Sequence, residues 1–219
     1  MRASELISQS VPVLKMNDTV ASALSLMNDN NLSQLPLVDD NRLLGLVREE
    51  DLLNPSPDDE LGHLKLLLIR PFIHDYEHIF EVLKVASELK MRVVPVIDKN
   101  EVYLGCITLE ALLNYFAHET DILEAGGIIV LEMEVSDYSL SEVARLVESE
   151  GARVLCAFAG TIPDTTRMEL TLKINKPDFQ SIIASLERHK YIIKDTYQEP
   201  EYFDNLKNRF DSLMNYLNV

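Results

Sequence analysis

Residues 34–53 read QLPLVDDNRLLGLVREEDLL, and nearly the same pattern returns at residues 93–113 as VVPVIDKNEVYLGCITLEALL. Both stretches contain an apolar residue and a proline, an apolar pair and an aspartate, a polar turn, and then a glycine within an apolar run. The copies are offset by 59 residues at the shared proline and by 60 at the shared glycine, so the second turn is one residue longer. An internal repeat of this kind predicts two copies of one structural unit.

The residue pattern of each copy predicts a strand, a helix, two further strands and a closing helix. In the first copy, residues 34–38 and 42–47 are short apolar runs separated by Asp-Asp-Asn, which is the signal of a β-hairpin. Apolar residues at helical spacing precede both hairpins, at Val20, Ala23, Leu24 and Met27 and at Ile79, Val82, Leu83, Ala86 and Leu89. A unit of about 55 residues buries too little surface to be stable alone, so we expect the two copies to pack together.

The segments around the hairpins are less regular. Residues 3–8 predict a short helix, and residues 11–14 a first strand that contains Pro12. Residues 54–62, with two prolines and three acidic residues, form the link between the copies. Residues 63–72 are interpreted as a buried strand, or as a strand preceded by a short helix.

The repeated pattern is similar to that of the CBS domain, in which the apolar-Gly-apolar-apolar run is followed by Thr or Ser and, three residues later, by Asp. The resemblance implies repeats at residues 1–60 and 61–118, arranged as a tandem pair. Such pairs usually sense adenosine-type ligands and regulate an attached or partner protein. In the family, the hydroxyl group and the helix N-terminus face the phosphate or ribose of the ligand, and the aspartate accepts hydrogen bonds from the ribose hydroxyls. The chemistry suits these groups, because free N–H groups bind anions and a carboxylate accepts from a diol.

In this chain the two elements of the motif are split between the copies. The first copy keeps Asp51 but has Arg48 in place of the hydroxyl residue, whereas the second keeps Thr108 but has Ala111 in place of the aspartate. The resemblance implies nucleotide binding by Asp51, Thr108 and Arg48. Each motif residue also has a structural alternative, with Asp51 as an acid in the first turn of a helix and Thr108 as a helix cap.

The acidic residues Glu49 and Glu50 lie beside the first site and should oppose a phosphate, although Arg48 offsets one of the charges. We therefore expect an adenosine with a neutral or cationic tail to be held more easily than ATP. The candidate ligands are of the AMP, ATP or S-adenosylmethionine class.

After a linker at residues 119–127, residues 128–198 predict the element order βαββαβ of a ferredoxin-like fold. The stretch VLEMEVSDYSLSEVARLVESEGARV resembles the start of an ACT domain, a module that commonly binds amino acids and pairs side by side. The expected ligand loop, residues 136–139, lacks glycine. The resemblance implies an amino-acid site at Asp137 and Ser139, but because the loop lacks glycine a dimerising or interdomain role is favoured over it. The order of a CBS pair and an ACT-like domain resembles the acetoin-utilisation protein B type, in architecture alone.

The C-terminal residues 200–219 predict an amphipathic helix. Its apolar residues are spaced by three and four positions, at Phe203, Leu206, Phe210, Leu213 and Leu217. This stripe is expected to dock on the chain's own domains or on a second subunit.

Charge and composition exclude several classes of function. The net charge is −16, divided equally between residues 1–118 and the remainder, which argues against binding to nucleic acid or to an anionic membrane. The chain has no apolar run of 18 residues and begins with a polar segment, so we expect a cytoplasmic protein. The cysteines Cys106 and Cys156 lie in apolar strand patterns and are interpreted as buried small residues rather than as a disulfide or reactive thiols.

The histidines His74 and His78, with Asp75 and Glu77, could in principle bind a metal, but they are better interpreted as the start of a helix, and no metal is expected. We find no nucleophile–base pair and no glycine-rich phosphate loop, so the chain is predicted not to be an enzyme and to have no cofactor beyond an adenosine-type ligand. The α/β fold with a tandem CBS pair then leaves two hypotheses. One is a regulatory sensor, and the other is a ligand-blind scaffold that forms a homodimer through its CBS and ACT-like domains.

Overall fold

The computed structural model describes residues 1–64 and 68–198, and it divides the chain into two compact units. The N-terminal unit comprises Met1–Tyr115 and the C-terminal unit begins at Phe116. The predicted amphipathic helix at residues 200–219 lies outside the described residues.

The first repeat is built on a two-stranded antiparallel hairpin. Its elements are α1 (Val20–Asp29), β1 (Gln34–Asp39), β2 (Arg42–Arg48) and a short 3-10 helix (Glu49–Leu52). Thr19 caps α1, since its hydroxyl accepts a hydrogen bond from the Ser22 N–H at 3.2 Å. The hairpin turn places Asp40 and Asn41 at φ values of 44° and 62°. Aspartate and asparagine tolerate this left-handed conformation, which suits a two-residue turn between twisted strands.

The second repeat has a three-stranded sheet with β4 in the centre. Its elements are β3 (Ile73–His74), α2 (Ile79–Glu88), β4 (Val93–Ile97), β5 (Tyr103–Thr108) and α3 (Leu109–Glu119), which continues past Tyr115. The longer turn of this hairpin is organised by Asp98, whose carboxylate accepts hydrogen bonds from the Asn100 and Val102 N–H groups, both at 2.8 Å. The N-cap of α2 is His78, whose Nδ1 atom accepts a hydrogen bond from the Phe80 N–H at 3.3 Å. Histidine is not among the usual N-cap residues, so this cap was not expected from the sequence.

The two repeats are interlocked through the segments that precede them. The start of the chain pairs with the second repeat, where the Ser8 N–H donates to the Cys106 carbonyl at 2.8 Å. Correspondingly, Ile69 pairs with Leu46 of the first repeat. The predicted packing of the two copies into one body is thus confirmed.

The C-terminal unit is a four-stranded antiparallel sheet covered on one face by two helices. Its elements are β6 (Gly127–Glu134), α4 (Leu140–Ser149), β7 (Val154–Thr161), β8 (Arg167–Ile174), α5 (Gln180–Arg188) and β9 (Ile192–Gln198). The strand order β7-β8-β6-β9 confirms the predicted ferredoxin-like topology. Its buried core includes Leu131, Val147, Leu170, Phe179 and Ile182.

Several predicted elements are shorter in the structure. The predicted helix at residues 3–8 is a 3-10 helix at Ala3–Leu6, and the strand predicted at residues 11–14 is reduced to one bridge between Leu14 and Leu37. Within residues 63–72, 65–67 lie outside the described part and Ile69 forms a bridge only. The closing helix predicted for the first repeat is wrong in length, since the chain forms only one 3-10 turn there, at Glu49–Leu52. Pro55 follows closely, and its ring and missing N–H oppose continuation of the helix.

The two cysteines have different environments. Cys106 is fully buried, as predicted, whereas Cys156 is partly exposed. The prediction for Cys156 is wrong because β7 lies at the edge of the sheet, where Cys156 stands opposite Lys173. Neither cysteine forms a disulfide.

Candidate functional site

Two cavities lie at corresponding positions of the two repeats. Cavity A has a volume of about 540 Å³, and its wall includes the end of β2 and the following turn, at residues 48–50, and the segment after α2, at residues 89–91. Cavity B has a volume of about 490 Å³, and its wall includes the end of β5 and the start of α3, at residues 108–110, and the segment after α1, at residues 30–32. Each cavity therefore takes a turn from one repeat and a helix end from the other, so neither repeat forms a cavity alone.

A third cavity, cavity C, lies between these two and has a volume of about 460 Å³. It shares Ser33, Glu49 and Leu53 with cavity A. It also shares Asn31, Leu32 and Arg92 with cavity B. The three cavities consequently lie next to one another in the N-terminal unit, and together they are called the cleft.

The predicted site residue Asp51 lies in the 3-10 helix beside cavity A. Its Oδ2 atom accepts a hydrogen bond from the Arg48 N–H at 3.0 Å. This is the structural alternative considered from the sequence, because the carboxylate satisfies a free N–H at a helix start. Asp51 is not among the described residues that line cavity A.

Arg48 lines cavity A directly, but its charge is already compensated. Its Nη1 atom lies 2.7 Å from Oε1 of Glu50, and both side chains are substantially exposed. An exposed pair of this kind contributes little to stability, roughly 0 to 1 kcal/mol. It nevertheless lowers the net positive charge that Arg48 presents to the cavity.

Thr108 lines cavity B and also caps α3. Its Oγ1 atom accepts a hydrogen bond from the Ala111 N–H at 3.1 Å, so the cap interpretation holds for this residue too. A hydroxyl group has a second lone pair and a proton of its own. The cap therefore leaves Thr108 able to hydrogen-bond to a ligand in cavity B.

Two basic residues at the cleft were missed by the sequence analysis. Lys90 lines cavity A, and Arg92 lines cavities B and C. The signal that could have identified them is the repeat itself, because Lys90 corresponds to Asn31 and Arg92 to Ser33 at the 59-residue offset. With Lys90 and Arg48 present, cavity A has two cations to set against Glu49 and Glu50, which alters the charge balance expected from the turn alone.

The candidate amino-acid residues lie in the loop after β6. Ser139 is the N-cap of α4, and its hydroxyl accepts from the Glu142 N–H at 3.4 Å. Asp137 ends a 3-10 helix, and its carboxylate accepts from the Ser136 hydroxyl at 3.0 Å. Both side chains are thus used locally, and the amino-acid site stays a prediction.

The segment around His74 has a local structural role. The His74 ring stacks on Tyr76 with a centroid distance of 5.1 Å, and the His74 N–H donates to the Glu77 carboxylate at 2.6 Å. Within residues 1–64 and 68–198, no group of three or more His, Cys, Asp or Glu side chains is placed to hold a metal ion. In the same described residues, no helix combines the length and apolar character needed to cross a membrane.

The N-terminal unit is thus a tandem repeat of one α/β unit with a cavity at each copy. The family model for the CBS domain matches residues 3–57 and 69–118, so the N-terminal part of the chain is a pair of CBS domains. No curated protein sequence matches the chain.

Solved structures of other CBS pairs are similar to this part of the chain. A CBS domain pair/ACT domain protein from Thermotoga maritima is 24% identical, with a TM-score of 0.49, over 53% of this chain and 96% of that one. CBSX2 in complex with AMP is 22% identical, with a TM-score of 0.45, over 52% and 94% of the two chains. A CBS pair in complex with 5′-methylthioadenosine and S-adenosyl-L-methionine is 21% identical, with a TM-score of 0.43, over 53% and 96%.

Proposed function

We propose that this chain is a regulatory protein whose CBS pair binds an adenosine-type ligand and relays its presence to a partner. The observation that carries the proposal is the presence of cavities A and B at equivalent turns of the two repeats. Volumes of about 540 and 490 Å³ fall within the range of roughly 300 to 1,000 Å³ that is usual for small-molecule sites.

The charges around the cleft favour a ligand of low net charge over a triphosphate. Cavity A combines Arg48 and Lys90 with Glu49 and Glu50, so its four charged side chains sum to zero. A triphosphate would bring several negative charges close to two carboxylates. A monophosphate, or a nucleoside whose tail carries a positive and a negative charge, matches the charges of this wall better. AMP and S-adenosylmethionine are therefore preferred to ATP.

The roles assigned to the motif residues follow from their free atoms. The Thr108 hydroxyl would contact ligand in cavity B, and Arg48 would do so in cavity A. Asp51 lies beside cavity A and not in its lining, and its Oδ2 atom is bonded to the Arg48 N–H, so its part in the proposal is limited to Oδ1 as acceptor for a ribose hydroxyl.

Thermal unfolding with AMP, ADP, ATP, NAD or S-adenosylmethionine at millimolar concentration tests the proposal. A ligand at about a hundred times its dissociation constant stabilises the folded state by about 2.7 kcal/mol, which corresponds to a shift of roughly 5 to 10 °C for a chain of this size. We expect AMP or S-adenosylmethionine to produce such a shift. If no compound moves the midpoint, the sensor proposal is wrong.

A matched pair of variants separates binding from helix capping. Thr108→Val removes a cap and a cavity hydroxyl, whereas Thr19→Val removes a cap in α1 at a residue that contributes to none of the three cavities. Each should lower the unfolding free energy by about 1 kcal/mol. Calorimetric titration should show weaker ligand binding in Thr108→Val alone.

A ligand-blind scaffold is the second candidate, favoured by exposed apolar side chains on two helices of the N-terminal unit. Phe80 and Leu83 of α2, and Leu109 and Leu113 of α3, are 42% to 69% exposed. Surfaces of this kind commonly mark protein contacts, and a homodimer would bury them. Light scattering that gives the mass of one chain would count against this candidate.

The remaining assignments follow from the same proposal. The ferredoxin-like unit would act as an ACT-like module for dimerisation or relay, with Asp137 and Ser139 as its weak amino-acid site. A regulatory role needs no catalytic activity, and the cytoplasmic location and the absence of nucleic-acid and membrane partners stay predictions.

A further inference from the structure

Lys90 has a backbone conformation that its side chain disfavours. It directly follows the end of α2 and has a φ of 53°. In this left-handed region the Cβ atom of an L-residue crowds the following carbonyl group, so glycine and asparagine are the usual residues at this position after a helix. The first repeat follows this rule, because Asn31 occupies the equivalent position after α1, also with a φ of 53°.

The hydrogen bonds at the end of α2 explain why residue 90 is left-handed, but they do not explain why it is a lysine. The Met91 N–H donates to the Ala86 carbonyl at 2.9 Å, and in the first repeat the Leu32 N–H donates to the Met27 carbonyl at 2.9 Å. Both closures require a left-handed residue in the turn. Because asparagine fulfils this requirement in one repeat, the fold does not need lysine in the other.

Lys90 lies in the wall of cavity A, and this position gives its positive charge a role in ligand binding. Among the charged side chains of the wall, Arg48 is paired with Glu50, whereas Lys90 forms no ion pair among the described residues. An ammonium group without a partner at a cavity wall attracts an anionic group of a ligand. At the corresponding wall of cavity B the residue is the uncharged Asn31.

We propose that cavity A contains an anion subsite at Lys90, which receives the phosphate of a nucleoside monophosphate. This inference rests on the proposed function and adds to it the residue that selects the ligand's acidic group. In cavity B the equivalent position is Asn31 and the cation of the wall is Arg92, at a different place in the turn, so a subsite at the residue after the helix is particular to cavity A.

The test compares AMP with adenosine by calorimetric titration of the full chain. Lys90→Asn, which installs the residue of the first repeat, should weaken AMP binding in cavity A by about tenfold, the loss of one charge-assisted contact. Adenosine binding should not change. The same variant should raise the melting temperature by roughly 2 to 4 °C, because the strain of the left-handed lysine is relieved.

Lys190→Asn is the matched control. Lys190 follows α5 in the C-terminal unit with a φ of 66°, so it should give a similar gain in melting temperature without altering AMP binding. Unchanged AMP affinity in Lys90→Asn, or an equal loss for AMP and adenosine, overturns the anion subsite alone. If the unaltered chain binds neither compound, the subsite fails. The proposed function fails with it only when S-adenosylmethionine, ADP, ATP and NAD also leave the melting midpoint unchanged.

Discussion

The two repeats of the N-terminal unit follow the same chain path, but they satisfy the backbone N–H groups at the start of their closing helices in different ways. In the first repeat, the carboxylate of Asp51 reaches back to the Arg48 N–H at 3.0 Å. In the second, the hydroxyl of Thr108 reaches forward to the Ala111 N–H at 3.1 Å. These are the two halves of a capping box, in which a Thr or Ser and an acidic residue three positions later bond reciprocally.

This difference shows what the fold requires at the turn and what it leaves free. One hydrogen bond from either half is enough to begin a helix, so each repeat has lost the other half without losing its structure. The same residues are those that the family uses for ligands. The cavities accordingly differ in their charged residues, with Arg48, Lys90 and two glutamates in cavity A and Arg92 and Glu110 in cavity B.

Substitution of the equivalent glycines is the strongest test of the comparison. A Cβ atom on Gly45 would lie 2.7 Å from Leu68 Cβ, and one on Gly105 would lie 2.5 Å from Ile7 Cγ2. Gly105 also has a φ of 142°. In each repeat the segment that precedes the other repeat crosses at the glycine. Gly45→Ala and Gly105→Ala should therefore each cost about 2 to 4 kcal/mol in urea unfolding.

Gly160→Ala is the control for these variants. Gly160 lies on edge strand β7, and an added Cβ atom would meet nothing within 4 Å. Its substitution should change the unfolding free energy by less than about 0.5 kcal/mol. If only one of the two glycines in the repeats proves sensitive, the crossing segments are not equivalent.

A smaller effect should distinguish the two repeats in the pH dependence of the unfolding free energy. Burial raises the pKa of the Cys106 thiol to about 12, although its contact with the Tyr103 hydroxyl, at 3.3 Å, acts in the opposite direction. Because the folded pKa is raised, the stability contributed by the neutral thiol is complete below the unfolded pKa of about 9. It is lost as the pH rises from there towards about 12.

The measurement is the unfolding free energy of the native chain and of Cys106→Ala between pH 8 and pH 11. The native chain should lose more stability over this range than the variant does. The equivalent residue of the first repeat is Leu46, which has no titratable group. Parallel curves for the two proteins would show that the thiol is not the source of the pH dependence.

The smallest expected effect comes from restoring the capping box of the second repeat. Ala111→Asp supplies the missing carboxylate three residues after Thr108, and should stabilise the unit by roughly 0.5 to 1 kcal/mol in urea unfolding. If the site also follows the family pattern, AMP binding at cavity B should become tighter. Ala111→Asn is the control, since it keeps the shape and removes the charge. A loss of stability in the aspartate variant would contradict the equivalence of the two turns.

Much of the fold could be predicted because the decisive signals are local. The prolines, the glycines and the apolar alternation of residues 34–53 and 93–113 define two hairpins, and the extra residue in the second turn is visible as a change of offset. The element order βαββαβ similarly specifies the topology of the C-terminal unit. The split of the binding motif between Asp51 and Thr108 was also readable without a structure.

The cavities depended on the tertiary structure, because their walls join residues that are far apart in the chain. Lys90 lines the same cavity as Arg48 only because the two repeats pack against each other, and nothing in its local sequence marks it as a wall residue. The interlocked pairing of Ser8 with Cys106 and of Ile69 with Leu46 is equally non-local. Local hydrogen bonding and apolar periodicity thus determined the elements, whereas long-range packing decided which charges share a cavity.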